Sequence, residues 1–390
     1  MAEWPVARLQ DLTLKIGSGA TPRGGSTVYR ASGPAFIRSQ NVLDNSMKLR
    51  DIARISPEAA RTLEGVTVHE GDVLINITGD SIARCALVDP AVLPAHVSQH
   101  VAIIRSGPQL DGRYLQRYLV QPSIKEFLLS IAAGGTRKAL TKAQLGDIAV
   151  AVPPLEVQRA IAEVLGALDD KIAANARSEA GSDAFIGALY SWAIKDDAHN
   201  APIMEALQVQ FGEPFAGQFF CAPGEGRPLI RIRDLKSFRA QVWTTERRAR
   251  ETVVTPGDVV VGMDAEFTPT AWLGPEGLMN QRVCKVASTL AGPAFVRESL
   301  RQPLSEIEGY KSATTVIHLN KADLERHAIL VPRDDRLRSF EERAEPVYEQ
   351  RIAVAQERAA LAATRDALLP ALMSGALRVK DAERLAEDLT

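Results

Sequence analysis

An internal repeat is the feature that most constrains the fold of this 390-residue chain. One segment, which begins VPPLEVQRAIAEVLGALDDKI, covers Val152–Ile194, and a second, which begins VPRDDRLRSFEERAEPVYEQRI, covers Val331–Leu377. The two segments also end alike, with FIGALYSWAI in the first and LLPALMSGAL in the second. Each has the pattern of a strand end, a proline stop and a long amphipathic helix. The chain is therefore expected to contain two similar halves.

The β-rich regions before the helices repeat as well. FIRSQNV, VHEGDVLINI, AHVSQHVAIIR and LTKAQLGDIAVAVP occur in order in the first half, and LIRIRDL, VTPGDVVVGM, LMNQRVCKVAS and LNKADLERHAILVP follow in the second. The loops between these matches differ in length, whereas the framework recurs. Because recognition usually resides in loops on a fixed scaffold, this pattern favours two domains that read two different targets.

Local patterns predict the smaller elements of the first half. Apolar spacing predicts a helix near Tyr114–Ile131, and Thr141 is expected to cap a short helix that leads into a strand at Ile148–Val152. The sequence thus predicts an α+β chain with five segments. These are a first domain at 1–152, a first helix at 153–195, a second domain at 196–332, a second helix at 333–378 and a C-terminal tail at 379–390.

The two long helices are predicted to pair antiparallel. The first carries apolar residues on one face and the second repeats them every seven residues, the coiled-coil interval: Val157, Ile161, Leu165, Leu168 and Ile172, then Phe340, Val347, Val354, Leu361 and Leu368. Gly166, Gly181 and Gly187 each weaken the first helix by roughly 1 kcal/mol. Packing of one helix against the other would offset that weakness.

Charge is distributed unevenly along a chain whose formal net charge is only −2. Residues 1–152 carry 17 Lys+Arg against 13 Asp+Glu, and residues 227–250 carry eight basic residues with Asp234 and Glu246 as the acids. A local basic surface on a near-neutral protein fits restricted contact with phosphates, and a solvated charged face explains it equally well.

Known catalytic patterns are missing from the sequence. It contains no GxxxxGK[ST] phosphate loop, no glycine-rich cofactor turn and no methyltransferase Asn/Asp-Pro-Pro-aromatic run. The histidines and the three cysteines show no metal-ligand spacing, so we expect no metal, no cofactor and no catalytic residue. The apolar segments are too short to cross a membrane and no leader is evident, which favours a cytoplasmic protein.

Polar residues that follow the predicted strands are the candidates for DNA contact, because Arg, Lys, Asn, Gln, Ser and Thr read base edges in the major groove. In the first half they are Arg38, Ser39, Gln40, Asn41, Thr78, Ser81, Arg84, Gln99, His100, Gly134, Gly135, Thr136, Arg137 and Lys138. In the second half they are Arg231, Arg233, Lys236, Glu266, Thr268, Asn280, Gln281, Arg282, Lys311 and Ser312. A role in a turn or a cap is the alternative for each single Ser, Asp or Thr. Gln99 and Gln281 share a repeat position, which fits either base contact or a common buried hydrogen bond.

The whole arrangement resembles the specificity (S) subunit of type I restriction–modification enzymes, over about residues 4–380. The first helix with its flanks, GGTRKALTKAQLGDIAVAVPPLEVQRAIAEVLGALDDKI, carries the resemblance most specifically. The second copy departs from the usual Pro-Pro-Leu-x-x-Gln run with VPRDDRLRSF, and it has Arg233-Asp234 where the first has Ser-Gln.

This resemblance implies two target recognition domains, each of which reads one half of a split sequence in double-stranded DNA. It implies that the two helices space the domains and dock modification (methyltransferase) subunits, expected to number two. Whether restriction (motor and nuclease) subunits also join is left open by the sequence. Two alternatives remain open. One is a non-catalytic repeat scaffold of another nucleic-acid-binding defence complex, and the other is an enzyme with an unrecognised site.

Overall fold

A computed structural model describes residues 4–132, 138–264, 266–311 and 317–387. The chain forms two compact units. The first comprises residues 1–171 and 361–390, and the second comprises residues 172–360. Each unit therefore contains one β-rich region and a part of each long helix. The α+β class and the repeated architecture predicted from the sequence are confirmed.

In the first unit the described residues form ten strands. They are β1 (Val6–Arg8), β2 (Thr13–Ser18), β3 (Tyr29–Ile37), β4 (Ala53–Ile55), β5 (Thr67–Val68), β6 (Val73–Asn76), β7 (Cys85–Leu87), β8 (Ala95–Val97), β9 (Val101–Ser106) and β10 (Ala149–Ala151). They make an antiparallel sheet in the order β2-β9-β6-β7, a sheet in the order β4-β3-β8-β5 with β3 parallel to β8, and the pair β1-β10.

In the second unit the described residues form eleven strands. They are β11 (His199–Pro202), β12 (Gln208–Phe211), β13 (Phe220–Cys221), β14 (Arg227–Ile230), β15 (Val242–Thr244), β16 (Val253–Val254), β17 (Val259–Gly262), β18 (Pro269–Ala271), β19 (Gly277–Met279), β20 (Val283–Ala287) and β21 (Ala328–Val331). The sheets β12-β20-β17-β18 and β13-β15-β14-β19-β16 and the pair β11-β21 repeat the topology of the first unit, and β14 is again parallel to β19.

The helices of the described residues complete the two units. They are α1 (Pro57–Arg61), α2 (Gly112–Leu119), α3 (Pro122–Ala132), α4 (Lys142–Gly146), α5 (Leu155–Ala193), α6 (Ile203–Ala206), α7 (Pro293–Lys311), α8 (Lys321–Glu325), α9 (Asp334–Met373) and α10 (Val379–Glu387). No helix in the described ranges is long and apolar enough to cross a membrane.

One predicted helix is in fact two. The segment near Tyr114–Ile131 is divided into α2 and α3, and α3 begins at Pro122. Proline cannot donate the backbone hydrogen bond that would continue α2, so the chain starts a new helix there. The predicted cap of α4 is confirmed, because Thr141 Oγ1 accepts the N–H of Gln144 at 3.2 Å and Gln144 Oε1 accepts the N–H of Thr141 at 2.9 Å.

The cores are apolar sheet faces covered by helices. In the first unit β6 is fully buried, and Tyr114 of α2 is 0% exposed. In the second unit α7 lies against the sheet that contains β17, and Phe295, Ile307 and Phe267 belong to one buried cluster. Burial of the central strands on both faces explains their continuous apolar sequence.

The long helices run antiparallel, as the contacts within each unit show. In the second unit, Asn175 Nδ2 donates to Glu357 Oε2 at 2.9 Å, and farther along α5 the Asp183 carboxylate lies 2.6 Å from Nε of Arg351. In the first unit, Arg365 Nη1 donates to Asp169 Oδ1 at 2.7 Å. Residue numbers thus rise along α5 as they fall along α9, and the predicted antiparallel pair is confirmed.

The seam between these helices is more polar than the heptad pattern predicts. Phe340 and Leu361 are fully buried at their heptad positions, but Val347 and Val354 are half-buried. Ion pairs such as Arg358 Nε with Glu179 Oε1, at 2.5 Å, accompany the apolar contacts. The pairing of α5 with α9 therefore depends on specific side-chain charges as well as on apolar area.

Candidate nucleic-acid interface

In each unit, four chain segments meet at the end of one inner strand of the antiparallel four-stranded sheet. This strand is β6 in the first unit and β17 in the second. In the first unit the four segments are residues 38–41, 76–84, 98–100 and 138–140, which we call the first polar end. Backbone hydrogen bonds join them, because Ser98 N donates to Ile37 O at 2.9 Å, Ile77 N to His100 O at 3.0 Å and Leu140 N to Ile77 O at 2.9 Å.

Equivalent backbone hydrogen bonds join the matching segments of the second unit. Asn280 N donates to Ile230 O at 3.0 Å, Met263 N to Arg282 O at 3.0 Å and Leu319 N to Met263 O at 2.8 Å. We call residues 231–236, 262–264, 266–268, 280–282 and 317–319 the second polar end. The chain thus builds one backbone frame twice and places different side chains on each copy.

Asn76 ties the first polar end together from inside. Its side chain is fully buried, and Nδ2 donates to Ser39 O at 2.9 Å and to Ser81 Oγ at 3.1 Å. Nδ2 also lies 3.3 Å from Val42 O. One amide therefore holds the 38–41 turn against the 76–84 turn.

The second polar end has a cavity near the equivalent place. Gly262 occupies the repeat position of Asn76, and a Cβ on Gly262 would lie 2.8 Å from Ile232 Cγ1. A cavity of about 530 Å³ opens there, with an apolar floor that includes Ile232, Leu235 and Gly262. Charged and hydroxyl side chains form its remaining lining: Arg233, Lys236, Asp264, Glu266, Thr268 and Thr270. The structure thus brings four predicted candidates, Arg233, Lys236, Glu266 and Thr268, to one recess.

Most of the described candidates are exposed side chains of the two polar ends. The exposed candidates are Gln40, Arg84, Gln99, His100, Lys138, Arg233, Lys236, Glu266, Thr268, Gln281 and Arg282. Gln99 and Gln281 are both exposed, so the interpretation of their shared position as a common buried hydrogen bond is wrong. Lys236 and Glu266 are paired across the recess, with Nζ 2.8 Å from Oε2.

Other candidates hold the turns in shape. Asn41 is buried, and its Oδ1 accepts the N–H of Arg38 at 3.1 Å while Nδ2 donates to Lys48 O at 3.1 Å. Arg231, which is half-buried, donates from Nε to Asp234 Oδ2 at 3.3 Å. Both Asn41 groups are occupied in this conformation, so we leave Asn41 out of the proposed interface.

Lys311 also has internal partners. Its Nζ donates to His318 O at 2.6 Å and lies 2.6 Å from Asp323 Oδ2. Arg38, Ser39, Thr78, Ser81 and Asn280 are half-buried at the rims of the polar ends. The remaining candidates lie outside the described residues: Gly134, Gly135, Thr136, Arg137 and Ser312.

In each polar end, side chains at matching repeat positions contact each other. In the first, Thr78 Oγ1 lies 2.6 Å from His100 Nδ1. In the second, Asp264 Oδ1 accepts from Arg282 Nη1 at 3.2 Å and from His318 Nδ1 at 2.8 Å. The sequence-based selection included Thr78, His100 and Arg282 but missed Asp264 and His318. The signal was available for Asp264, which occupies the repeat position of Thr78.

The described residues contain no group of three or more His, Cys, Asp or Glu side chains arranged to hold a metal ion. What the two polar ends present instead is hydrogen-bond donors and acceptors on loops. Guanidinium, ammonium, amide and imidazole groups of this kind contact DNA phosphates and base edges.

Comparison with known proteins shows what the chain is similar to. Residues 1–180 match the family model described as "Type I restriction modification DNA specificity domain". The resemblance to type I specificity subunits that the sequence predicts is thereby confirmed.

Two curated relatives are similar to this chain, and one of them extends the similarity beyond residues 1–180. The type I restriction enzyme EcoBI specificity subunit of Escherichia coli is 33% identical over 123 residues, which is 31% of this chain and 26% of that relative. The type I restriction enzyme MjaIX specificity subunit of Methanocaldococcus jannaschii is 21% identical over 97% of this chain and 94% of its own length. The match to the first relative thus spans about a quarter of its length.

A solved structure shares the fold of this chain. The crystal structure of the type I restriction–modification system S subunit from M. genitalium aligns over 95% of this chain and 96% of its own, with a TM-score of 0.60. The sequence identity is 13%, so this likeness concerns the fold alone.

Proposed function

We propose that this chain is the DNA sequence-specificity subunit of a type I restriction–modification complex. Residues 1–152 and 196–332 are the two target recognition domains, and each reads one half of a bipartite target in double-stranded DNA. The helices at 153–195 and 333–378 space these domains and dock the modification subunits, and residues 379–390 form a tail. Restriction subunits join as further partners.

One observation carries this proposal. Two backbone frames with the same hydrogen bonds present different side chains at matching positions, His100 in the first and Arg282 in the second. A common scaffold with different loop chemistry is what two recognition modules with different targets require. A single enzyme site would instead need its groups brought to one place.

Electrostatics support contact with a polyanion at these ends. Arg84 and Lys138 are exposed at the first polar end, and Arg233, Lys236 and Arg282 are exposed at the second. Phosphate contacts from such side chains orient a protein on the duplex, whereas base contacts select the sequence. Of the basic residues at 227–250, Arg231, Arg233 and Lys236 lie within the second polar end.

In this proposal the chain itself is not catalytic and binds no cofactor. Methyl transfer belongs to the modification subunits, which the specificity subunit directs to the target in the cytoplasm. The long antiparallel pair suits docking because its length gives a partner a continuous surface. An α-helix of about 40 residues is about 60 Å long.

The test is to co-express the chain with a modification subunit encoded beside it and to map methylated adenines by sequencing. The proposal predicts a motif of two short specific parts separated by a fixed unspecific gap. A continuous motif would contradict it. An active complex in which this chain has no influence on the methylated sequence would favour the alternative of a repeat scaffold in another defence complex.

A further inference from the structure

A carboxylate holds one exposed arginine in place at the second polar end. We propose that Arg282 reads a guanine in the half-site contacted by the second recognition domain, and that Asp264 is the residue that positions it. This inference rests on the proposed function and assigns a specificity-determining pair within it.

Hydrogen bonds to two neighbouring segments hold the backbone around Asp264 in place. Met263, its neighbour in the chain, donates its N–H to Arg282 O at 3.0 Å and accepts the N–H of Leu319 at 2.8 Å. Asp264 also forms a backbone bridge with His318, whose Nδ1 lies 2.8 Å from Asp264 Oδ1. His318 thus holds the Asp264 carboxylate, and this carboxylate in turn orients the guanidinium of Arg282, whose Nη1 also lies 3.2 Å from His318 Nδ1.

Most N–H groups of the Arg282 guanidinium remain available to a ligand. Its side chain is 49% exposed, and Nη1 donates to Asp264 Oδ1 at 3.2 Å. Within the described ranges, Nε and Nη2 have no hydrogen-bond partner. Guanine offers two acceptors, O6 and N7, on its major-groove edge, and the planar arginine fork matches them with two parallel N–H groups. An arginine held at one nitrogen is thus oriented for this bidentate contact.

The first polar end shows what changes between the two domains. At the matching repeat positions, Thr78 corresponds to Asp264, His100 to Arg282, and Ala139 to His318. With Nδ1 only 2.6 Å from Thr78 Oγ1, His100 presents a single ring nitrogen in place of a fork. The two frames therefore offer different hydrogen-bond patterns at one shared position, which fits the reading of different bases.

A purely structural role for the Asp264–Arg282 pair makes a different prediction. Both side chains are more than one-third exposed, and exposed ion pairs contribute little to stability. A structural pair would leave base preference unchanged when it is altered. A reading pair would change base preference while the protein remains folded.

The experiment uses the purified complex of the full chain with its modification subunits. Methylation rates are measured on duplexes that carry the mapped motif and on duplexes with each base pair substituted in turn. Arg282→Lys keeps the positive charge and removes the fork, so we expect it to lose roughly 5- to 150-fold discrimination at one G·C pair. Asp264→Asn should relax the same pair more weakly, because Arg282 stays but is less well oriented.

Arg326→Lys is the matched control, since Arg326 is exposed in the same unit and lies outside the second polar end. It should retain the full discrimination of the unaltered complex. Thermal unfolding of all three variants should match that of the parent complex.

The inference would be overturned if Arg282→Lys kept the full base preference of the parent complex at every position of the motif. It would also be overturned if the variant relaxed base preference in the other half-site, or if the half-site read by the second domain contained no G·C pair. In each case a bipartite motif from the parent complex would leave the proposed function standing. A parent complex without a bipartite motif would overturn both.

Discussion

Gln158 joins the start of α5 to the loop before α2. Its Oε1 accepts the N–H of Asp111 at 2.9 Å, and its Nε2 donates at 2.9 Å to the carbonyl oxygens of Gln109 and Pro153. The side chain is fully buried. Leu337 occupies the repeat position at the start of α9 and cannot form these bonds.

Gln158→Leu should destabilise the first unit, because three backbone groups lose their partner, and the bond to Pro153 O is buried while the other two are part-buried. A loss of at least about 2 kcal/mol is expected from the cost of unsatisfied buried polar groups. Denaturant unfolding of the purified chain measures it. Glu163→Leu, at an exposed position of the same helix, is the control and should stay within about 0.5 kcal/mol.

Asp72 secures the strand β6 to its neighbour β9. It is fully buried, and its carboxylate accepts from Arg105 Nε at 2.7 Å, from Arg105 Nη2 at 2.8 Å and from the N–H of His69 at 2.7 Å. Asp72→Ala would leave the largely buried guanidinium unpaired, and we expect a loss of about 3 kcal/mol.

Asp335→Ala provides the contrast for that measurement. The Asp335–Arg333 pair is 2.7 Å long, but both side chains are more than half exposed. Its removal should leave the unfolding free energy nearly unchanged. Equal losses in the two variants would show that burial is not what makes the Asp72 pair important.

Asp183 on α5 serves two buried arginines. Arg297 Nη1 of α7 lies 2.7 Å from Oδ1, and Arg351 Nε of α9 lies 2.6 Å from the same oxygen. The two arginine side chains are only 8% and 9% exposed. Asp183→Asn should cost about 3 kcal/mol, since it removes the anion paired with the buried Arg351 and leaves the buried Arg297 with Glu298, whose Oε1 lies 3.3 Å from Arg297 Nη1.

The loss from Asp183→Asn should persist at high salt, because buried pairs are weakly screened. Asp196→Asn, at a side chain 68% exposed on the loop after α5, should have almost no effect. Unfolding in low and high salt distinguishes the two. A loss at Asp183 that disappears in high salt would mean that this cluster is solvated.

Glu345 on α9 makes the second unit sensitive to pH. Burial, with the carboxylates of Glu341 and Glu349, raises the pKa of Glu345 to about 7 from an ordinary value of 4.5. The unfolded chain therefore releases this proton at lower pH than the folded chain. The stabilising contribution of protonated Glu345 is complete below about pH 4.5 and is lost as pH rises through about 7.

Glu345→Gln should remove this dependence, because the amide stays neutral at every pH. Melting temperatures of the variant and the parent should coincide near pH 4, and the variant should be the more stable protein at pH 8. A parent and variant that change in parallel between pH 4 and pH 8 would contradict the assignment.

The repeated elements of the fold could be predicted from the sequence, whereas features that depend on a single residue or on one pair of distant residues could not. Long-range periodicity was enough for α5, α9 and the order of strands, since each pattern extends over many residues. The division between α2 and α3 at Pro122 was missed because apolar spacing continues through it. The polar seam of the helix pair was missed because ion pairs across two distant segments leave no periodic trace.

The clustering of the candidate loops was predictable from the repeat, whereas the environment of each side chain was less so. The loops after the strands come together in each unit, and Gln99, His100 and Arg282 are exposed there. Burial of Asn41 could not be read from its type, because an exposed and a capping asparagine look alike in sequence. The Asp264–His318 contact joins residues 54 apart in the chain.

In the proposed function, each half of the chain reads its own half of the target. Two matched double variants distinguish the halves, Thr78→Ala with His100→Ala and Asp264→Ala with Arg282→Ala, each co-expressed with the modification subunit. Methylated adenines are then mapped by sequencing. We predict that each double variant relaxes base preference in one half of the motif only, and that the two affect opposite halves. Relaxation of the same half by both variants, or of both halves by either one, would contradict the account.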